Sequence, residues 1–93
     1  MAKKKTQMER WLAPRERFAA IGSDGTRAVV WGLGWSPGLA RLDAESFDKN
    51  WDSGGGFTVK IGEDIAERVI KGEVACEALG IAVSVRDGKV EGA

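Results

Sequence analysis

The sequence contains no histidine and no tyrosine, and it has only one cysteine among its 93 residues. Histidine is the commonest general base and the commonest zinc ligand, so its absence excludes Ser-His and Cys-His catalysis and most zinc sites. The one cysteine, Cys76, lies among apolar residues, where a cysteine is usually a small core residue and not a nucleophile. We therefore expect a protein that is not an enzyme and that holds neither a metal ion nor a cofactor.

Two segments approach known ligand-binding motifs without completing them. Residues 48–54 place oxygen-bearing side chains at alternate positions, as a calcium loop does, but Val59 stands where such a loop needs a bidentate glutamate. Gly32, Gly34 and Gly38 lack the spacing of a dinucleotide-binding fingerprint. Neither segment predicts a bound ion or nucleotide.

Long apolar runs are absent as well. The longest nearly apolar stretch covers residues 28–35 and contains two glycines, whereas crossing a bilayer takes about 20 apolar residues. The basic start of the chain is not followed by the apolar run of a signal peptide, and a single cysteine cannot form an internal disulfide. We expect a cytoplasmic protein that makes no contact with a membrane.

The chain has no net charge, but its charges are unevenly distributed. Residues 1–41 hold eight basic and three acidic groups, and residues 42–93 hold six basic and eleven acidic groups. Such an asymmetry can steer an oppositely charged partner towards the protein, or it can favour head-to-tail self-association.

The apolar pattern predicts an α+β fold, with a small antiparallel or mixed sheet of four to five strands and two to three helices packed on one side. We expect a flexible basic arm over residues 1–7 and a single domain over residues 8–93. The predicted helices run from Pro14 to Gly22, from Asp43 to Trp51 and from Glu63 to Leu79, with Gly72 as a weak point and Gly80 as the end of the last one.

The predicted strands are marked by alternation and by turn residues. They cover residues 26–35, 40–42, 57–61, 81–85 and 89–90, with a turn at Ser36–Leu39 and a second turn at Asp87–Gly88. In the first of these strands, one face carries glycines, so a helix or another backbone can approach it closely.

Four tryptophans in so short a chain are the most informative feature, because tryptophan is enriched at the energetic centres of protein interfaces. Trp31, Leu33 and Trp35 occupy alternate positions, so we expect them to share a strand face and to be buried or exposed together. Trp51, beside a glycine-rich loop, is a further candidate. These four residues form the predicted partner-binding set.

Three functions fit these observations. The first is a small protein-binding module, such as an inhibitor, adaptor or accessory factor of the kind that bacterial operons and mobile elements encode. The second is a nucleic-acid-binding regulator, in which a basic arm follows the phosphate backbone; its contact residues are Lys3, Lys4, Lys5, Arg10, Arg15 and Arg17. The third is a repeating subunit of a homo-oligomer or larger assembly. We favour the first, because an acidic second half is a poor companion for a phosphate-binding face.

Overall fold

The computed structural model describes residues 17–87 and 89–92, and this part of the protein is an α+β fold with five strands in two small antiparallel sheets. The elements, in chain order, are β1 (Arg17–Ser23), β2 (Ala28–Gly34), α1 (Pro37–Phe47), β3 (Phe57–Ile61), α2 (Glu63–Glu67), a 3-10 helix (Cys76–Leu79), β4 (Val83–Arg86) and β5 (Lys89–Gly92). The larger sheet has the strand order β2-β1-β3, and β4 and β5 form a hairpin.

The central strand, β1, sends its side chains alternately into two apolar clusters, one on each face of the sheet. The first cluster is the larger, and its buried members are Ala19, Ile21, Ala28, Val30, Ile61, Cys76, Leu79, Ile81 and Val90. The buried members of the second cluster are Ala20, Ala40, Ala44 and Trp51.

Helices therefore cover both faces of the larger sheet, and not one face as predicted. Helix α1 supplies Ala40 and Ala44 to the second cluster, whereas the 3-10 helix supplies Cys76 and Leu79 to the first. The predicted α+β class, strand number and helix number agree with the structure in outline. The predicted placement of the helices on one side is wrong, because β1 is apolar on both sides and each side must be shielded from water.

Residues Arg17–Ser23 form a strand, although a helix was predicted from Pro14 to Gly22. The apolar residues here, 18–21, are consecutive and not spaced by a helical turn. A strand that is buried on both faces needs such a continuous run, and periodicity alone cannot separate it from a short buried helix. The start of the predicted helix lies outside the described residues.

Helix α1 begins where a turn into a hairpin was predicted. Ser36 is its N-cap, and the Ser36 Oγ accepts a hydrogen bond from the Leu39 N–H at 3.2 Å. Pro37 takes the first helical position, where the missing N–H of proline has no cost. The helix ends at Phe47, and Asp43, where the second predicted helix begins, lies inside it.

The long helix predicted from Glu63 to Leu79 is in fact two short helical pieces joined by turns. Helix α2 has five residues, and the 3-10 helix has four. Gly72, between them, has a φ of 77°, which a right-handed helix cannot contain. Gly80 adopts the left-handed conformation directly after the 3-10 helix, so its predicted role as a terminator is confirmed.

The segment between α2 and the 3-10 helix closes the outer edge of β2. The Gly72 N–H donates a hydrogen bond to the Val30 C=O at 2.9 Å, and Val29 forms an isolated antiparallel bridge to Ala75. Further along this edge, a carboxylate of α1 accepts the Leu33 N–H. The segment thus serves as a substitute strand in place of a helix.

That carboxylate belongs to Asp43, which joins three parts of the fold. It accepts the Leu33 N–H at 2.8 Å and the ammonium group of Lys71 at 2.5 Å. Burial raises the pKa of Asp43, but the hydrogen bonds from Lys71 and Leu33 together outweigh burial and hold the pKa below its ordinary value. Asp43 therefore ties α1 to β2 and to the segment that closes the β2 edge.

The other four strands of the structure agree with the predictions, but the strand predicted at residues 40–42 is wrong, because these residues lie inside α1. Strand β2 lies within the predicted 26–35, β3 covers the predicted 57–61, and the final hairpin forms at the predicted Asp-Gly turn. Asp87 has a φ of 53°, as the first position of such a hairpin turn requires.

Candidate interaction surface

A β-bulge in β2 separates Trp31 from Leu33 and Trp35. Two consecutive residues of β1, Ala20 and Ile21, pair with β2 residues that are two positions apart, so Trp31 is an extra residue between them. Trp31 consequently packs against the second cluster, whereas Leu33 packs against the first. The prediction that the three side chains share one face is wrong, because the bulge reverses the alternation along the strand.

Trp31 is half-buried and helps to hold α1 on the sheet. Its ring lies 5.8 Å from that of Phe47, centroid to centroid, at an angle of 47°. Among the described residues, its buried Nε1–H has no hydrogen-bond acceptor. This indole is therefore mainly occupied with packing inside the protein.

The glycine-bearing face of β2 is covered by α1, as the predicted close approach requires. A Cβ added to Gly32 would lie 2.3 Å from the Ala40 O and from the Ala44 N, and one added to Gly34 would lie 2.5 Å from the Ala40 N. No side chain fits between the strand and the helix at these two positions. The prediction of a smooth face for a helix is confirmed.

Trp51, the fourth residue of the predicted binding set, belongs to the second cluster and is only 5% exposed. The Arg41 guanidinium lies 5.8 Å from the centroid of its ring. The indole is covered by the protein's own residues, so the interaction surface described next does not include it.

Trp35 is 38% exposed and lies beside Leu33 in a groove of about 300 Å³. The groove is lined by Arg17, Leu33, Gly34, Trp35, Glu63, Ala66 and Glu67, and we call it the Trp35 groove. Its lining comes from the start of β1, the end of β2 and helix α2. Two residues of the predicted binding set, Leu33 and Trp35, thus meet here.

Arg17 connects the aromatic and the acidic sides of the Trp35 groove. Its guanidinium lies 5.8 Å from the centroid of the Trp35 ring, and its Nη2 lies 3.6 Å from the Glu63 Oε1. The groove thus contains two carboxylates, those of Glu63 and Glu67, and one guanidinium. The rim of the groove is acidic, and the Arg17 guanidinium makes a cation–π contact with the Trp35 ring.

The contribution of α2 to this groove was not predicted. Glu63 and Glu67 were predicted only as part of a long helix from Glu63 to Leu79. Their position beside Trp35 depends on the β1–β3 pairing, in which Arg17 faces Ile61, two residues before Glu63. No local signal in the sequence indicates that pairing.

The residues predicted to contact nucleic acid are almost all outside the described part of the chain. Lys3, Lys4, Lys5, Arg10 and Arg15 precede residue 17, so the structure does not test them. Arg17 is described, and its guanidinium faces Glu63 and Trp35. Nucleic-acid binding by a basic arm therefore stays a prediction.

Cys76 is fully buried in the first cluster, which confirms its predicted place in the core. Burial raises the pKa of its thiol to about 11. Within residues 17–87 and 89–92, His, Cys, Asp and Glu side chains form no group of three or more that could hold a metal ion. In the same part of the chain, no helix has the length and apolar character needed to cross a membrane.

Comparison of this chain with models of known protein families, with curated protein sequences and with solved structures gives no significant match.

Proposed function

We propose that this protein is a non-enzymatic module that binds another protein through the Trp35 groove. The observation that carries the proposal is the 38% exposure of Trp35 beside the half-buried Leu33, in a groove with an acidic rim. A tryptophan contributes a large apolar area to an interface and has few rotatable bonds to immobilise on binding. The proposed partner-binding set is therefore Leu33 and Trp35, with Arg17 and α2 around them.

The position of Trp35 favours binding because its surroundings are already ordered. It directly follows β2, and the Arg17 guanidinium lies next to its ring. Arg17 in turn faces Glu63 of α2. A preorganised contact residue loses less conformational entropy on binding, so more of the contact energy appears as affinity.

The charges of the groove indicate the chemistry of the partner. Glu63 and Glu67 stand at the rim around an apolar floor formed by Leu33 and Ala66. A complementary segment carries an aliphatic or aromatic side chain for the floor and a lysine or arginine for the rim. We therefore expect the partner to present a basic segment with an apolar anchor.

The test is a selection from a library of displayed random peptides on the purified protein, followed by titration of the selected peptides. We expect them to combine an apolar anchor with basic residues, and we expect Trp35→Ala to weaken their binding at least about 10-fold. Leu42→Ala is the matched control, since Leu42 is 62% exposed on α1, and it should change the affinity less than twofold.

Two outcomes would count against the proposal. One is a set of selected peptides that binds the Trp35→Ala variant as tightly as the original protein. The other is a set without basic residues, whose binding does not respond to Glu67→Gln. Circular dichroism of each variant would show whether a loss of binding comes from a loss of fold.

A further inference from the structure

The chain enters the described fold at the Trp35 groove. In the β1–β2 pairing, Phe18 lies opposite Gly34. The next position along that pair brings Arg17 beside Trp35, and the guanidinium lies 5.8 Å from the centroid of the ring. Arg17 is itself part of the lining. The residues that directly precede Arg17 are therefore attached to the groove.

Residues 8–12 have the composition expected of an occupant of this groove. They read Met-Glu-Arg-Trp-Leu, so an indole and a leucine side chain directly follow an arginine. The groove offers an apolar floor for the first two and an acidic rim for the third. Leu12 is five residues from Arg17, and a chain of that length spans up to about 17 Å, which allows the segment to return to the groove.

The charges of the two surfaces are complementary. Residues 1–16 hold five basic side chains and two acidic ones, a net charge of +3. The lining of the Trp35 groove holds one guanidinium and two carboxylates, a net charge of −1. Electrostatic attraction therefore favours contact between this part of the chain and the groove.

The two larger grooves of the described structure lack this complementarity. The groove beside β3, of about 370 Å³, contains Lys60 and no carboxylate among its described lining residues. The groove between the start of β2 and β4, of about 520 Å³, contains one cation, Arg27, and one carboxylate, Glu77. A basic segment is therefore attracted to the Trp35 groove more than to either of these.

We propose that residues 8–12 occupy the Trp35 groove of the same chain and compete with the partner for it. This inference rests on the proposed binding function, and it adds that the chain regulates that binding itself. In this arrangement, Trp11 and Leu12 cover the apolar floor, and Arg10 supplies the cation for Glu67. A partner binds when it displaces the segment.

Attachment to Arg17 makes even a weak contact effective. A segment tethered by a few residues of chain has an effective concentration of the order of millimolar at its site. The apparent affinity for a separate partner is reduced to the fraction of molecules in which the groove is unoccupied. Occupation by the chain's own segment thus weakens the binding of any other molecule to the same groove.

The test is a titration of the full-length protein and its variants with the peptides selected on the Trp35 groove. Trp11→Ala combined with Leu12→Ala removes the apolar contact of the segment and should tighten peptide binding several-fold to about 10-fold. Arg10→Glu leaves both apolar residues in place and should tighten it as well. Thr6→Ala combined with Gln7→Ala is the matched control in the same part of the chain and should leave the affinity unchanged.

A synthetic peptide of residues 1–16 provides a second measurement that needs no outside partner. It should bind the variant with Trp11→Ala and Leu12→Ala more tightly than the original protein, in which the groove is already occupied. Adding Trp35→Ala to that variant should weaken the binding of the synthetic peptide at least about 10-fold. Circular dichroism of each variant would show that the fold is retained.

The outcomes separate this inference from the proposed binding function. Selected peptides that depend on Trp35, but whose affinity ignores the changes at residues 10–12, would overturn the inference and leave the proposed function standing. A synthetic peptide that binds neither protein would overturn it too. Binding of the synthetic peptide without any selected peptide that depends on Trp35 would support the inference and count against a separate protein partner.

Sedimentation distinguishes the same chain from a second copy as the source of the segment. Occupation within one chain leaves the protein a monomer at all concentrations. An oligomer that dissociates when Trp11→Ala and Leu12→Ala are introduced would assign the segment to a second copy and would overturn occupation by the same chain.

Discussion

The two faces of the three-stranded sheet are covered in different ways. On one face, α1 lies against the backbone of β2, because Gly32 and Gly34 leave no side chain between them. On the other face, the 3-10 helix, the residues directly after it and strand β5 supply large side chains such as Leu79, Ile81 and Val90 to the first cluster. The contact with α1 depends on the absence of side chains at the two glycines. The packing of the first cluster depends on side chains that fill the space between its elements.

This difference shows that a small sheet can be shielded on both sides without two long helices. It also implies that the two faces respond to opposite kinds of mutation. Added atoms should damage the α1 face, because its backbones are in contact, and removed atoms should damage the other face, because they leave a cavity.

Gly32→Ala should lower the free energy of unfolding by about 3 kcal/mol or more, measured by urea denaturation. The added methyl would lie 2.3 Å from backbone atoms of α1, so the helix must move away from the sheet. Gly38→Ala is the matched control, since a Cβ there would have no neighbour closer than 4.0 Å. Within a helix, that change should stabilise by up to about 1 kcal/mol. Equal effects of the two variants would contradict the contrast between the faces.

Leu79→Ala should lower the free energy of unfolding by about 2 to 3 kcal/mol, because it removes buried methyl groups from the first cluster. Leu79 is 3% exposed, whereas Leu42 on α1 is 62% exposed. Leu42→Ala should therefore change stability by less than about 0.5 kcal/mol. If Leu79→Ala and Leu42→Ala changed the free energy of unfolding equally little, the stability of the first cluster would not depend on side chains that fill its space.

Asp43→Asn should lower the free energy of unfolding by about 1 kcal/mol at neutral pH, because the ion pair with Lys71 is lost at a partly exposed site. The pKa of Asp43 is depressed in the folded protein, so its contribution is complete above about pH 4 and is lost as the pH falls through the folded pKa. Urea denaturation at pH 7 and in acid checks this. The difference between the two proteins should shrink in acid. Glu45→Gln, at an exposed position of the same helix, should change the free energy of unfolding little at pH 7.

The reaction of Cys76 with a thiol reagent tests the packing of the first cluster around one buried residue. The native protein should react far more slowly than the unfolded chain, because the thiol is fully buried and its pKa is raised to about 11. Leu79→Ala should accelerate the reaction, and Gly38→Ala should not. If the native protein reacted as fast as the unfolded chain, the first cluster would be accessible to the reagent.

The strands that were predicted well carry their signals locally. Strands β2 and β3 and the final hairpin are marked by alternation or by an Asp-Gly turn, and these signals need no knowledge of the rest of the fold. The left-handed end at Gly80 is equally local. Local residue patterns were sufficient for a correct prediction wherever a short segment determines its own backbone conformation.

The elements that were predicted wrongly depend on distant partners. Residues 18–21 form a strand because neighbouring strands pair with them on both sides. Ser36 and Pro37 suit a turn as well as a helix start, and the glycine face of β2 decides in favour of the helix. The apolar residues within 63–79 have helical spacing, but the Gly72 N–H donates a hydrogen bond to the backbone of β2 at the edge of the sheet.

The candidate surface was predicted only in part, for the same reason. Alternation was sufficient to link Leu33 with Trp35, which do meet in the groove. The bulge that removes Trp31 from this surface is a property of the β1–β2 pairing and has no signature within β2. The buried position of Trp51 depends on its place in the second cluster, which its neighbours in sequence do not determine.

The bulge at Trp31 also has a consequence for how β2 can change over time. The extra residue, Trp31, divides the strand into two stretches. In each stretch, the alternation of side chains between the two faces of the sheet is set separately. A change at Ala28 or Val30 thus acts on the first cluster, whereas a change at Trp35 acts on the Trp35 groove. The side chain at position 35 of the Trp35 groove can therefore change without a change in the alternation of residues 28–30.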